Sequence, residues 1–130
     1  IYIIEGALSR TGVGNNLFEK AKSISRIICP SKNAYEYIER IKWISLEKVP
    51  KDAMVLLALG PTSKPLGLWL VNNGYWVIDI GHIDSEYEWY LKKAETKIYI
   101  PFKHTAEQSD DNIENCCDQS YLDSIIATIE

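Results

Sequence analysis

Ala53-Met54-Val55-Leu56-Leu57-Ala58-Leu59 closed by Gly60-Pro61-Thr62-Ser63, and Tyr75-Trp76-Val77-Ile78-Asp79-Ile80 closed by Gly81-His82-Ile83-Asp84, decide the fold. Each is an apolar run ending in a glycine-led loop, and each loop opens a helical pattern. A strand apolar along its whole length, rather than at alternate positions, is covered on both faces, which predicts a mainly parallel sheet flanked by helices. Ligands of such sheets bind beyond the carboxyl ends of the strands. Function is therefore sought first in the loops at 60–63 and 81–88.

Outward from this centre, Ile1 to Glu5 reads as a strand and Gly6 to Asn16 as a loop carrying Arg10, Gly12, Gly14 and Asn15. Glycines there let the backbone approach a ligand, and Arg10 adds a fixed charge. The loop lacks both the third glycine of a dinucleotide fingerprint and the Lys-Ser/Thr ending of a P-loop, so a plain turn explains it as well. A short helix is expected over Leu17 to Ser23 and a strand over Ser25 to Cys29. Pro30-Ser31-Lys32-Asn33 follows; Asn33 and Glu36 have capping-box spacing ahead of a helix reaching about Ser45. Lys32 stands just before that helix N-terminus, where an anion would meet a cation and free amides. Ser63 is a candidate cap for the helix that Gly74 ends. Thr62 and Ser63 offer hydroxyls to a phosphate.

His82, Asp84, Glu86 and Glu88 place four ionisable groups at a strand's carboxyl end. Ser85 and Glu88 make a second capping-box pattern, which leaves Glu86 without a structural role. Lys97 to Phe102 reads as an edge strand, residues 103–118 as a polar acidic stretch without a motif, and Tyr121 to Ile129 as a terminal helix.

The 130 residues suit one domain with a true core, and 46% hydrophobic with 25% charged residues is ordinary globular composition. A net charge of −4 argues against nucleic acid as partner, since no basic field is present to displace counterions. No apolar run approaches the roughly 20 residues of a membrane span, and the start lacks signal-peptide features. Cys29, Cys116 and Cys117 form no disulfide framework, so a reduced, cytoplasmic setting is expected. Cys29 is expected to be a small core residue. The first residue is not Met and lies inside a strand pattern, so the chain is expected to be the C-terminal part of a longer, single Rossmann-like domain, here incomplete.

Leu8-Ser9-Arg10 with Gly12-Val13-Gly14-Asn15, Ile28-Cys29-Pro30-Ser31-Lys32-Asn33-Ala34, Ala58-Leu59-Gly60-Pro61-Thr62, and Asp79-Ile80-Gly81-His82-Ile83-Asp84 with Glu86-Tyr87-Glu88-Trp89 together resemble the bacterial GT-D-type glycosyltransferase family. The resemblance implies a UDP-sugar donor, with glucose the characterised case. It also implies a divalent cation, Mn²⁺ or Mg²⁺, held by an Asp-x-Glu motif, and a glycan or glycoprotein acceptor. In that family the motif precedes the Gly-x-Gly loop. The Asp-x-Glu of this chain is Asp84-Ser85-Glu86, which stays open as the metal pair.

Glycosyl transfer needs a base for the acceptor hydroxyl and positive groups for the departing diphosphate. Glu86 is the expected base, with Asp84 and His82 as rivals. Arg10, Lys32 and the residues Gly12, Gly14, Asn15, Pro30, Asn33, Gly60, Pro61 and Thr62 are expected to hold the donor. The alternative is a non-catalytic nucleotide or sugar-nucleotide binding module; a hydrolase or methyltransferase fits less well, for want of a nucleophile elbow or cofactor fingerprint. A homo-oligomer is left open.

Overall fold

A computed structural model describes all 130 residues. The chain order is β1 (Tyr2–Gly6), β2 (Ser25–Cys29), α1 (Ile38–Lys48), β3 (Met54–Ala58), α2 (Ser63–Asn72), β4 (Trp76–Asp79), α3 (Ile83–Leu91), α4 (Gln119–Ser124) and β5 (Ile125–Thr128), with 3₁₀ turns at Ala34–Tyr37 and Gly60–Thr62. The five strands form one parallel sheet in the order β4-β3-β1-β2-β5. From β2 the chain crosses β1 to reach β3, so the strand order reverses around β1. That reversal parts the loops above the sheet and opens a crevice there.

The two faces of the sheet differ. Ile4, Ile27, Cys29, Val55 and Leu57 point to one side and pack with Ile41 and Ile44 of α1 and Leu66 and Leu70 of α2. Gly67 lets α2 approach closely, since a Cβ there would lie 3.3 Å from a Leu57 methyl. Burying a side chain of this size contributes about 1.5–3 kcal/mol, so this apolar layer is the main store of stability. Tyr75 extends it: its hydroxyl donates to the carbonyls of Ser45 and Val49 at 3.1 and 3.3 Å, tying down the end of α1.

Alternate residues put Ile3, Glu5, Arg26, Ile28 and Leu56 on the other face. No helix joins β1 to β2, and this face lies largely under irregular chain. Its backbone polar groups need partners, and buried charges supply them. Glu5 and Arg26, both almost fully buried, pair at 2.5 Å. The second Glu5 oxygen accepts from the Thr11 amide at 2.8 Å, while Arg26 donates to the Thr11 carbonyl at 2.9 Å and to Ser124 at 3.0 Å. Arg26 also lies over the Tyr121 ring. Burial and the charge of Glu5 push the Tyr121 hydroxyl up to about 12, against the opposing pull of Arg26 and Arg10. Burial, then Glu5, likewise pushes the Cys29 thiol up to about 12, so Cys29 is inert core at neutral pH, as expected.

Three expected elements differ. Residues 17–23 form turns rather than a helix; Phe18 instead packs against Gly12, where a Cβ would come within 2.5 Å of its ring. Residues 97–102 are irregular, because Pro101 lacks an amide and the segment bonds to side chains: Trp89 donates to Ile98 O at 2.9 Å and Ile100 N donates to Thr105 at 3.0 Å. The terminal helix stops at Ser124 and becomes β5. Ile125, Ile126 and Thr128 are β-branched, and the open edge of β2 offers a ladder that a helix would have left unpaired.

Arg26→Met leaves Glu5 as a buried carboxylate without its counter-charge, and stability in urea unfolding should fall by roughly 3–5 kcal/mol. A loss below about 1 kcal/mol, the value of an exposed pair, would contradict that role.

Candidate active site

A cavity of about 400 Å³ opens beyond the carboxyl ends of β1 to β4. β1 delivers Gly6, Leu8, Ser9 and Thr11; β2 delivers Pro30, Ser31, Asn33, Ala34 and Tyr35; β3 delivers Ala58 to Thr62; β4 delivers Gly81, His82, Asp84 and Ser85. His104 and Asp110 complete the wall. The volume falls in the range of small-molecule sites.

Three helix N-termini meet at this cavity: the 3₁₀ turn leading into α1, the one leading into α2, and α3. Each begins beside a residue in the left-handed region, Asn33 (φ 54°), Gly60 (φ 53°) and Gly81 (φ 51°). That conformation swings the chain from strand direction into helix. Nothing lies within 4 Å of a Cβ built at Gly60 or Gly81, so φ, not crowding, accounts for glycine there. None of the three ends carries a side-chain cap. By contrast α4, away from the cavity, is capped by Asp118, which accepts from the Tyr121 amide at 2.8 Å. The expected caps are employed otherwise. Asn33 is left-handed and does not cap; Ser63 accepts from the Leu59 amide at 3.1 Å; Ser85 accepts from the Ala106 amide at 3.2 Å. The lining holds no Lys or Arg and includes the carboxylates of Asp84 and Asp110, so the groups it offers an anion are uncapped backbone amides and nearby hydroxyls.

Beneath the cavity lies a buried ionic lattice. Lys103, with no exposed surface, donates to Asp84 at 2.8 Å and lies 3.3 Å from Glu88. Asp84 also accepts from the Gly12 amide at 2.8 Å and from Asn15 at 3.0 Å, and Glu88 accepts from Asn15 and Lys92. Burial raises the Glu88 carboxyl, but hydrogen bonds from Asn15 and Lys92 and the nearby Lys103 charge outweigh it and hold the group below the usual carboxylate range.

Of the residues singled out by sequence, Pro30, Asn33, Gly60, Pro61, Thr62, His82 and Asp84 line the cavity. Arg10, Gly12, Gly14, Asn15, Lys32 and Glu86 do not. Arg10 is buried and donates to the carbonyls of Phe102 and Glu114, both at 2.6 Å, fastening the late loop. The Gly12 amide and the Asn15 side chain are taken by Asp84 and Glu88, while Gly14 lies against Phe102. Lys32 is exposed and borders a second, shallower groove that shares Pro30 and Ser31 with the cavity. Glu86 is exposed, two residues and about 200° around α3 from buried Asp84. The pair therefore cannot turn both carboxylates to one ion. No group of three or more His, Cys, Asp or Glu is arranged to hold a metal, so the residues present do not fit the divalent cation implied by the resemblance. Sequence reading missed His104 and Asp110; they sit in an aperiodic stretch, and a lone histidine was the only signal.

A parallel sheet with its cavity at the switch in strand order places the chain among Rossmann-like α/β domains. Known proteins narrow this further. The model of the glycosyltransferase GT-D fold matches residues 1–108, and the chain belongs to that family. It is 50% identical over 130 residues to the probable glycosyl transferase Gly of Streptococcus gordonii and 47% identical to the glycosyltransferase GlyD of Streptococcus pneumoniae serotype 4. It covers 99% of its own length but 19% and 16% of theirs. Among solved structures it superposes with a TM-score of 0.96 on a new glycosyltransferase from Streptococcus sanguinis, at 49% identity, over 99% of this chain and 48% of that one. A further structure, described as having a distinct glycosyltransferase fold, matches at 48% identity and a TM-score of 0.95, over 99% of this chain and 47% of its own.

Because the folded Glu88 carboxyl titrates lower than the unfolded one, its stabilising contribution is complete above the ordinary value of 4.5 and is lost as pH falls through the lowered value. Glu88→Gln should therefore flatten the decline of thermal stability on acidification. A variant whose acid dependence matches the parent would show that the lattice carries no such linkage.

Proposed function

We propose that this chain forms the donor side of a glycosyltransferase that moves a hexose, glucose in the first instance, from a UDP-sugar to a growing glycan on protein or cell-surface polysaccharide. A cytoplasmic setting suits its three free cysteines. The observation that carries this reading is the convergence of three uncapped helix N-termini on one cavity. A diphosphate is the common biological anion large enough to engage several such ends at once. Family membership and the relatives named as glycosyltransferases support transfer rather than binding alone.

In this reading the amides of Asn33, Ala34, Gly60 and His82 take the diphosphate, with hydroxyls of Ser9, Ser31 and Thr62 beside them. Tyr35, 60% exposed at the rim, offers a face to the base or sugar. Preorganised donors of this kind stabilise charge on the departing diphosphate at no cost of reorganisation. When bound, Mn²⁺ or Mg²⁺ would neutralise the same charge, but the present residues form no ligand set for it, and no step is assigned to it. A non-catalytic nucleotide-binding module is the second reading. It is favoured by the placement of Glu86, the expected base, outside the cavity and by the pairing of Asp84 with Lys103.

Calorimetric titration of UDP into the full-length protein, with EDTA and then with Mn²⁺, tests the donor site. Saturable UDP binding is expected. Ser31→Asp, an anion at the cavity wall, should weaken it about tenfold, the ~1.4 kcal/mol appropriate to one charge set against helix N-termini. Undetectable binding under both conditions would sink the proposal; binding without sugar transfer would select the second reading.

A further inference from the structure

The cavity contains one side chain with the geometry of a general base. His104 Nδ1 lies 2.8 Å from Asp110 Oδ1. The carboxylate thus favours the tautomer with its proton on Nδ1, leaving Nε2 as a proton acceptor, and no protein group bonds Nε2. Its position is fixed on both sides. The His104 amide donates to the Leu8 carbonyl at 2.6 Å; Lys103, just before it, is anchored on Asp84 and Glu88; Thr105, just after it, accepts from the Ile100 amide. The imidazole nonetheless keeps 31% of its surface open.

The other ionisable groups around this cavity are less suited. Asp84 has both oxygens committed, to Lys103 and to Gly12 and Asn15, and Glu86 faces away. His82, from the turn between β4 and α3, has its ring centroid 5.7 Å from that of His104 but has no carboxylate to orient it. Exposed Glu107 is engaged by Lys97.

We propose that His104 is the catalytic base of sugar transfer and that Asp110 positions it; this rests on the glycosyltransferase reading and deepens it. The acceptor hydroxyl oxygen forms a bond to the anomeric carbon while its proton passes to His104 Nε2. The bond from that carbon to the diphosphate oxygen breaks, and its electron pair leaves with UDP. The imidazolium then releases the proton to water, restoring the dyad.

The test uses the full-length protein, UDP-glucose and a panel of aryl glycosides as acceptors, with UDP affinity measured in parallel. His104→Gln should lower kcat about a hundredfold or more, the usual worth of a positioned base, while UDP affinity stays within about twofold. Asp110→Asn should lower kcat by a smaller factor at unchanged donor KM. In His104→Ala, added imidazole should restore part of the rate in proportion to its neutral form, which a purely structural role would not produce. A His104→Gln kcat within about threefold of the parent, or a loss of UDP affinity equal to the loss of kcat, would overturn the assignment. If that variant does not fold, unchanged kcat in Asp110→Asn overturns it instead. Absence of transfer by an unaltered protein that binds UDP defeats the transferase reading and the dyad with it, whereas transfer at full rate without His104 defeats the dyad alone.

Discussion

The buried pairing of Glu5 with Arg26 is the constraint on which the rest of the molecule depends. A parallel sheet must be covered on both faces, and here only one face is covered by regular helices packed through aliphatic side chains. The other lies largely under loops, whose amides and carbonyls cannot bond to each other in a ladder. Glu5 and Arg26 take the amide and the carbonyl of Thr11, and Arg26 reaches on to Ser124. Arg10 takes two more carbonyls, those of Phe102 and Glu114. Arg10, expected from the sequence to hold the donor, is thus part of the fastening of an irregular layer. Their value depends on completeness, since a half-satisfied buried network costs more than an apolar one.

The same fastening builds the site. Lys103 draws the segment after α3 down onto Asp84 and Glu88, and this brings His104 and Asp110 to the wall of a cavity otherwise made by strand ends. The two sides of the cavity then have different chemistry. The turns leading into α1 and α2 and the start of α3 offer backbone amides, and the one charged side chain they add to the lining, Asp84, is paired with Lys103. The His104–Asp110 pair offers a proton acceptor.

The fold was largely legible in residues 53–89. Continuous apolar runs, glycine-led loops and the stop at Gly74 gave strands and helices close to those observed; burial agrees with that reading at β3, whereas β4, expected to be covered on both faces, is an edge strand with Trp76 and Ile78 exposed. The site was legible in part. Gly60, Pro61, Thr62, His82 and Asp84 line the cavity simply because they follow strands, a position that sequence order reveals. Arg10, Gly12, Gly14 and Asn15 also follow a strand, yet their polar groups are spent on Asp84, Glu88 and distant carbonyls. Nothing local distinguishes an amide facing a ligand from one facing a buried carboxylate more than sixty residues away. The helical spacing of Leu122, Ile125, Ile126 and Ile129 misled for a related reason: it also fits a turn of helix followed by a β-branched strand.

By itself, then, the sequence determined the class of fold and the end of the sheet at which chemistry belongs, because apolar periodicity and loop glycines act within a few residues of themselves; the family came from the resemblance of its motif blocks. Only the tertiary structure decided which charges are structural, that the last segment pairs with β2, and that His104 and Asp110 join the cavity. Those outcomes depend on which unpaired backbone groups and buried charges meet across the chain, and such partners are chosen by space rather than by neighbourhood in sequence.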